Sequence, residues 1–177
     1  MAEADLTLIE AAFSWVENTP LSMWVRGESM LAFPTILSAH TLGMGFLAGT
    51  SVGIDLRILG VADRVPLPAL EKFYPVMWLA LAVNFVSGTL LLIGYPYKAF
   101  TNPVFYVKLG LIAVAVYLVV RIRDQVLRQA GPGAASVPSR ARQLAMISIA
   151  CWACAILAGR LLAYTYTWLR VGVQQSF

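Results

Sequence analysis

Long apolar runs separated by short charged connections set the pattern of this chain. The runs extend from about Met30 to Ile54, Tyr74 to Gly94, Pro103 to Val120 and Leu144 to Leu169. At ~1.5 Å per residue, each predicts a helix long enough to cross a hydrocarbon core of ~30 Å. The connections are DLRILGVADRVPLPALEK, YPYKAFTN and the Gly/Pro/Ser-rich RQAGPGAASVPSRAR, and no internal repeat is visible. Ahead of the first run, residues 4–18 place Leu6, Ile9, Phe13 and Val16 on one helical face and Glu10, Ser14 and Glu17 on another. That predicts an amphipathic helix too short to span, lying in the interface. Pro20 then breaks the helix, and Trp24 offers an interfacial anchor. The expected fold is all-α: an integral membrane four-helix bundle (29–177) preceded by a short N-terminal amphipathic interfacial segment (1–28).

Composition strengthens this reading. Of 177 residues, 59% are hydrophobic and 12% charged, about half the charged share of roughly 25% usual in soluble domains. Mean hydropathy is +0.74. The net charge of +4 follows topology and is not a nucleic-acid patch. Arg57, Arg64 and Lys72 lie in the first connection, and Arg121, Arg123, Arg128, Arg140 and Arg142 flank or fill the third. The N-terminal segment carries only Arg26 beside five acidic residues, the second connection Lys98 and the tail Arg170. Positive charge marks the cytoplasmic side, so both termini are expected in the periplasm, with the chain in a bacterial inner membrane. The acidic N-terminus lacks the basic n-region of a secretory leader.

Polar residues inside the runs are the candidate site. His40 is the only histidine of the chain and lies ~15 Å below the outer end of its run. Arg160 falls ~14 Å below the same surface on the last run. Lys108 sits just inside the third run, and Asn84 and Ser87 lie near the middle of the second. Each run therefore contributes to one expected polar site in the outer half of the membrane. Arginine at a helix centre costs ~2.5–3.5 kcal/mol on insertion scales, so it calls for an anion. Glu28 is the nearest acidic residue in sequence. Otherwise the counter-charge must be a propionate, a lipid phosphate, a substrate anion or another subunit. Simpler roles exist for the same residues: His40 as a helix–helix hydrogen-bonding group, Asn84, Ser87 and Gly88 as packing, and Lys108 and Arg160 snorkelling outward. Cys151 and Cys154 read as small packing residues on one helix face, without the further ligands a metal site requires. Gly43, Gly45, Gly49 and Gly53 allow close approach of a helix or a flat ligand.

The chain has no Walker loop, no His/Cys/carboxylate cluster and no Ser–His–Asp set at matching depth, so an independent enzyme is not expected. The succession S-x-H-T-L-G-x-G, D-L-R-I-L-G, N-P-V-F-Y-V-K and A-G-R-L-L-A-Y resembles a group of small, uncharacterised bacterial four-span inner-membrane proteins (a domain of unknown function). The likeness extends from about Ser22 to Tyr164, and it implies that His40, Asp55, Arg57, Lys108, Gly159 and Arg160 belong to a shared pattern. More distantly, the layout is similar to cytochrome b-type and copper-resistance membrane proteins, whose facing intramembrane histidines hold haem. A second histidine is missing here.

Three functions follow as expectations. The first is an accessory or anchor subunit of a larger membrane complex, without catalysis of its own. The second is electron transfer through haem b, with His40 as the metal ligand and Arg160 or Lys108 beside the propionates. Met44 shares the helix of His40 and cannot reach the opposite haem face, so Met77, Met146 or a second subunit would have to supply the sixth ligand. The third is binding or transport of an anion or lipid headgroup at His40, Arg160 and Lys108. The expected partners are the lipid bilayer and other membrane subunits or a second copy, and not nucleic acid.

Overall fold

A computed structural model describes residues 2–28, 30–61, 63–127 and 139–174, and helices with short connections account for all of them. Helix α1 is Ala2–Glu17 and α2 is the short Pro20–Met23. Thr19 caps α2, its hydroxyl accepting from Ser22 N at 3.3 Å, and Pro20 supplies the fixed φ of a first helical turn. A kinked turn over Trp24–Glu28 leads into α3, Ala32–Leu59. A 3₁₀ segment, Leu67–Phe73, feeds α4, Tyr74–Gly94. Helix α5, Pro96–Phe100, bridges to α6, Pro103–Ile122, which runs on as a wider helical turn to Leu127. Helix α7 is Ser139–Gln174.

Four stretches are long and apolar enough to cross a membrane: Ala32–Leu59, Leu67–Gly94, Pro103–Gln125 and Ser139–Leu162. The chain is thus a multi-pass membrane four-helix bundle. Its first span continues beyond the Ile54 expected from sequence, carrying Asp55 and Arg57 inside α3. Gly60, at φ 97°, ends it. Gly60 N bonds Arg57 O and Val61 N bonds Leu56 O, the paired reversal of chain direction that only a left-handed residue allows. Most of the third connection lies outside the described residues.

Helix α3 packs on α4 and α7, and α7 packs on α6. The α4–α6 side closes through Tyr74, whose hydroxyl donates to Val119 O at 3.4 Å. Lipid tails are as apolar as leucine, so association rests on close packing and on hydrogen bonds between helices. The buried positions agree: Ala115, Ala145 and Ala155 are fully enclosed, as is Trp152, while Phe46, Leu79, Phe85 and Leu157 project outward. On α7 the buried face reads Ala141, Ala145, Ser148, Trp152, Ala155, Ala158, a helical stripe of mostly small residues.

The two ends of the bundle differ. At one, Phe13 of α1 stacks on Phe100 (5.6 Å between centroids, 4° between planes) and meets Tyr97 edge-on, both in α5. Arg26 pairs with Glu17 at 3.6 Å and donates to its backbone carbonyl. Val25 is buried against Gly94. Of the expected apolar face of α1, Phe13 and Val16 turn inward, Ile9 is exposed, and the side chain of Leu6 lies outside the described residues. At the other end the 3₁₀ segment meets the turn after α6, where Arg123 pairs with Glu71 at 3.6 Å and covers the Tyr74 ring at 4.9 Å.

Candidate functional site

In the α1/α5 half, α3 and α4 come close because Gly43 has no side chain. A Cβ there would stand 3.2 Å from both Ala80 O and Asn84 Nδ2. Asn84, buried, uses that gap to donate to His40 O at 2.8 Å. The His40 ring crosses to the same helix, with Nδ1 at 3.1 Å from Ser87 Oγ. Ser87 has one hydroxyl proton, and the 2.6 Å contact with Val83 O takes it. Ser87 Oγ must then accept, so His40 donates from Nδ1 and keeps its Nε2 lone pair when neutral. The ring edge lies against Gly88, whose Cβ would be 3.1 Å from Cε1. Lys108 reaches this layer from α6, lying over Gly159 of α7 and close enough to His40 for their charges to interact.

His40, Asn84, Ser87 and Lys108 therefore meet in one layer of the bundle. Arg160 does not join them. It follows Gly159, so it shares their depth, but its side chain is on the exposed side of α7 and makes no hydrogen bond or ion pair with a described residue. The side chain of Glu28, its nearest acidic candidate, lies outside the described residues.

A haem requires axial ligands and a slot for its ring. His40 offers one nitrogen. Met77 is sealed in the core near Tyr74, in the opposite half, and Met146 is exposed. Met44 is on the helix of His40 itself. His40 lines neither the groove beside Gly45, Gly49 and Gly53 nor the small gap between Leu47, Met77 and Val116. The residues of this chain do not fit a six-coordinate haem within one subunit. Among the described residues, no group of three His, Cys, Asp or Glu side chains could hold a metal ion.

A second polar set lies deeper, toward the 3₁₀ segment. Trp152 Nε1 donates to Ser51 Oγ at 2.9 Å between α7 and α3, with both residues buried. One turn further, Asp55 (1% exposed) faces Ser148 (0% exposed). Asp55 Oδ2 and Ser148 Oγ have no hydrogen-bond partner among the described residues. Sequence reasoning assigned Asp55 to the connection, because a carboxylate usually marks the end of a span. The missed indication is its spacing: Leu47, Ser51, Asp55 and Ile58 fall on one face of α3. Asn102 is also buried: its Oδ1 accepts from Val104 N at 3.0 Å, capping α6, and its Nδ2 donates to Thr165 Oγ1 of α7 at 2.8 Å.

No protein-family model, curated protein or solved structure matches the chain.

Proposed function

We propose that this chain is a non-catalytic accessory or anchor subunit of a larger assembly in a bacterial inner membrane, with its basic end cytoplasmic and both termini periplasmic. Arg160 carries the reading. The polar groups turned inward largely answer one another: His40 with Ser87 and Asn84, Trp152 with Ser51, Asn102 with Thr165. Arg160 instead faces out of the bundle without a described partner at the depth of that inner layer. A guanidinium in hydrocarbon costs several kcal/mol unless an anion or water meets it, and a carboxylate on an adjoining subunit would meet it. Helix α1 fits the same role. It is fixed to α5 through Phe13 while Leu8, Ile9 and Trp15 stay exposed for headgroups or a partner. The sequence patterns described above agree with a place among the small four-span bacterial proteins.

The test is the mass of the intact particle extracted from its own membrane in mild detergent. A mass exceeding that of the chain by another membrane polypeptide is expected. A particle of this chain and lipid alone contradicts the proposal.

A further inference from the structure

Outside the bundle, α3 and the segment that follows it enclose a groove of about 500 Å³. Gly45, Gly49 and Gly53 form its floor, and a Cβ at any of them would meet nothing within 4 Å. Val65, Leu70 and Phe73 form a second wall, and Arg57 stands at the end where α3 terminates. The floor from Gly45 to Arg57 is ~18 Å long at ~1.5 Å per residue.

We propose that this groove binds one acyl chain of an anionic phospholipid, with the lipid phosphate on the Arg57 guanidinium. Arg57 is held in place before any ligand arrives: Nε donates to Val65 O at 2.5 Å and Nη2 to Asp63 O at 2.8 Å. Both acceptors are neutral carbonyls, and no described carboxylate lies within ion-pair distance of Arg57. The charge is fixed but not cancelled, and Nη1 remains free to donate. Phosphate supplies the missing anion, and charge-assisted bonds to a preorganised guanidinium are strong. Arg57 sits in the last turn of a spanning helix, the level at which headgroups lie, and Arg64 and Lys72 in the same connection add positive charge. The apolar remainder of the groove suits a chain of methylenes. Val65, Leu70 and Phe73 line the groove together with Gly53 and Arg57, so a partner helix ~10–12 Å across would have to share that space with them.

Native mass spectrometry of the purified protein, supplied with phosphatidylglycerol or with phosphatidylcholine of the same chains, tests this site. Phosphatidylglycerol should be retained about tenfold more tightly, as one charge-assisted contact would give. Gly49→Leu and Gly45→Leu project into open space, so both should melt as the wild type does while losing either lipid. Arg57→Gln should lose only the preference for the anionic headgroup. The proposal is overturned if both leucine variants retain phosphatidylglycerol as the wild type does. It is equally overturned if inorganic phosphate displaces the lipid, which makes the site one for a bare anion. If the leucine variants change the oligomeric state and leave lipid retention intact, the groove is a helix-docking face and the lipid assignment fails.

Discussion

His40 Nδ1 and Ser87 Oγ lie 3.1 Å apart across the α3–α4 contact, and the ring is held there by the absence of a side chain at Gly88. Adding one methyl at that glycine should drive the two helices apart. Gly88→Ala is expected to cost about 1–3 kcal/mol, the usual range for overpacking. His40→Ala alone should cost about 1–2 kcal/mol, because inter-helix hydrogen bonds in membranes average ~0.6 kcal/mol and the lost ring leaves a void. The double variant should be less destabilised than the sum of the two, by about 1 kcal/mol, since the clash needs both groups. Reversible unfolding in mixed micelles measures all three. Strict additivity would show that the ring does not rest on Gly88.

The Trp152–Ser51 bond ties α7 to α3 in the enclosed core. Trp152→Phe removes the donor and only the smaller part of the ring volume, so a loss of about 1–2 kcal/mol is expected. Trp152→Ala also opens a cavity and should cost about 3–5 kcal/mol. A Trp152→Phe variant as stable as the wild type would argue against the hydrogen bond as a separate contribution.

Ser148 gives the opposite expectation. Its buried hydroxyl faces Asp55 without reaching a partner among the described residues, and an unsatisfied hydroxyl is a cost to the folded state. Ser148→Ala should therefore leave stability unchanged or raise it by up to ~1 kcal/mol. Asp55→Asn, which keeps shape and hydrogen-bonding capacity, should be tolerated better than Asp55→Leu. A loss of about 2 kcal/mol or more in Ser148→Ala would instead mean that the hydroxyl bonds Asp55, directly or through a water.

Topology can be read directly. Reporter fusions at Gly133 and after Phe177 should report cytoplasm and periplasm respectively, the outcome that the Lys/Arg distribution predicts. Arg57, Arg123 and Arg142 belong to one end of the bundle, and α1 and α5 form the other. The reverse result would place the inner His40 layer in the cytoplasmic half.

Much of this arrangement was legible in the chain. Apolar runs bounded by Arg57, Lys98 and Arg142 gave the spans, because charge and hydrocarbon exclude each other so strongly. Counting residues from the ends put His40 level with Arg160, Lys108 nearer the outer end and Asn84 and Ser87 near mid-span; in the structure His40 meets Asn84 and Ser87, and Lys108 lies over Gly159. The direction of Arg160 was not read, because a span that is apolar all round has no hydrophobic face to set its phase. Small residues set it instead. Ala141, Ala145, Ser148, Ala155 and Ala158 mark the packed side of α7 and turn Arg160 away from it. Asp55, named in the shared pattern, falls inside the helix and not in the connection for a related reason: Gly60, and not the first charged residue, ends the helix.

The outward arginine is the centre of the account, and its removal tests it most directly. The chain is extracted from its native membrane in mild detergent as wild type, as Arg160→Met and as His40→Ala, and the co-purifying membrane subunit is quantified. Arg160→Met, which keeps much of the bulk and removes the charge, should lose that subunit at least tenfold, as expected for an ion pair in low dielectric worth 1.4 kcal/mol or more. Its own thermal stability should not change, because Arg160 is exposed and makes no hydrogen bond or ion pair with a described residue. His40→Ala should lower the melting temperature and keep the subunit bound. Full retention of the subunit by Arg160→Met, or its loss from His40→Ala alone, would contradict the account.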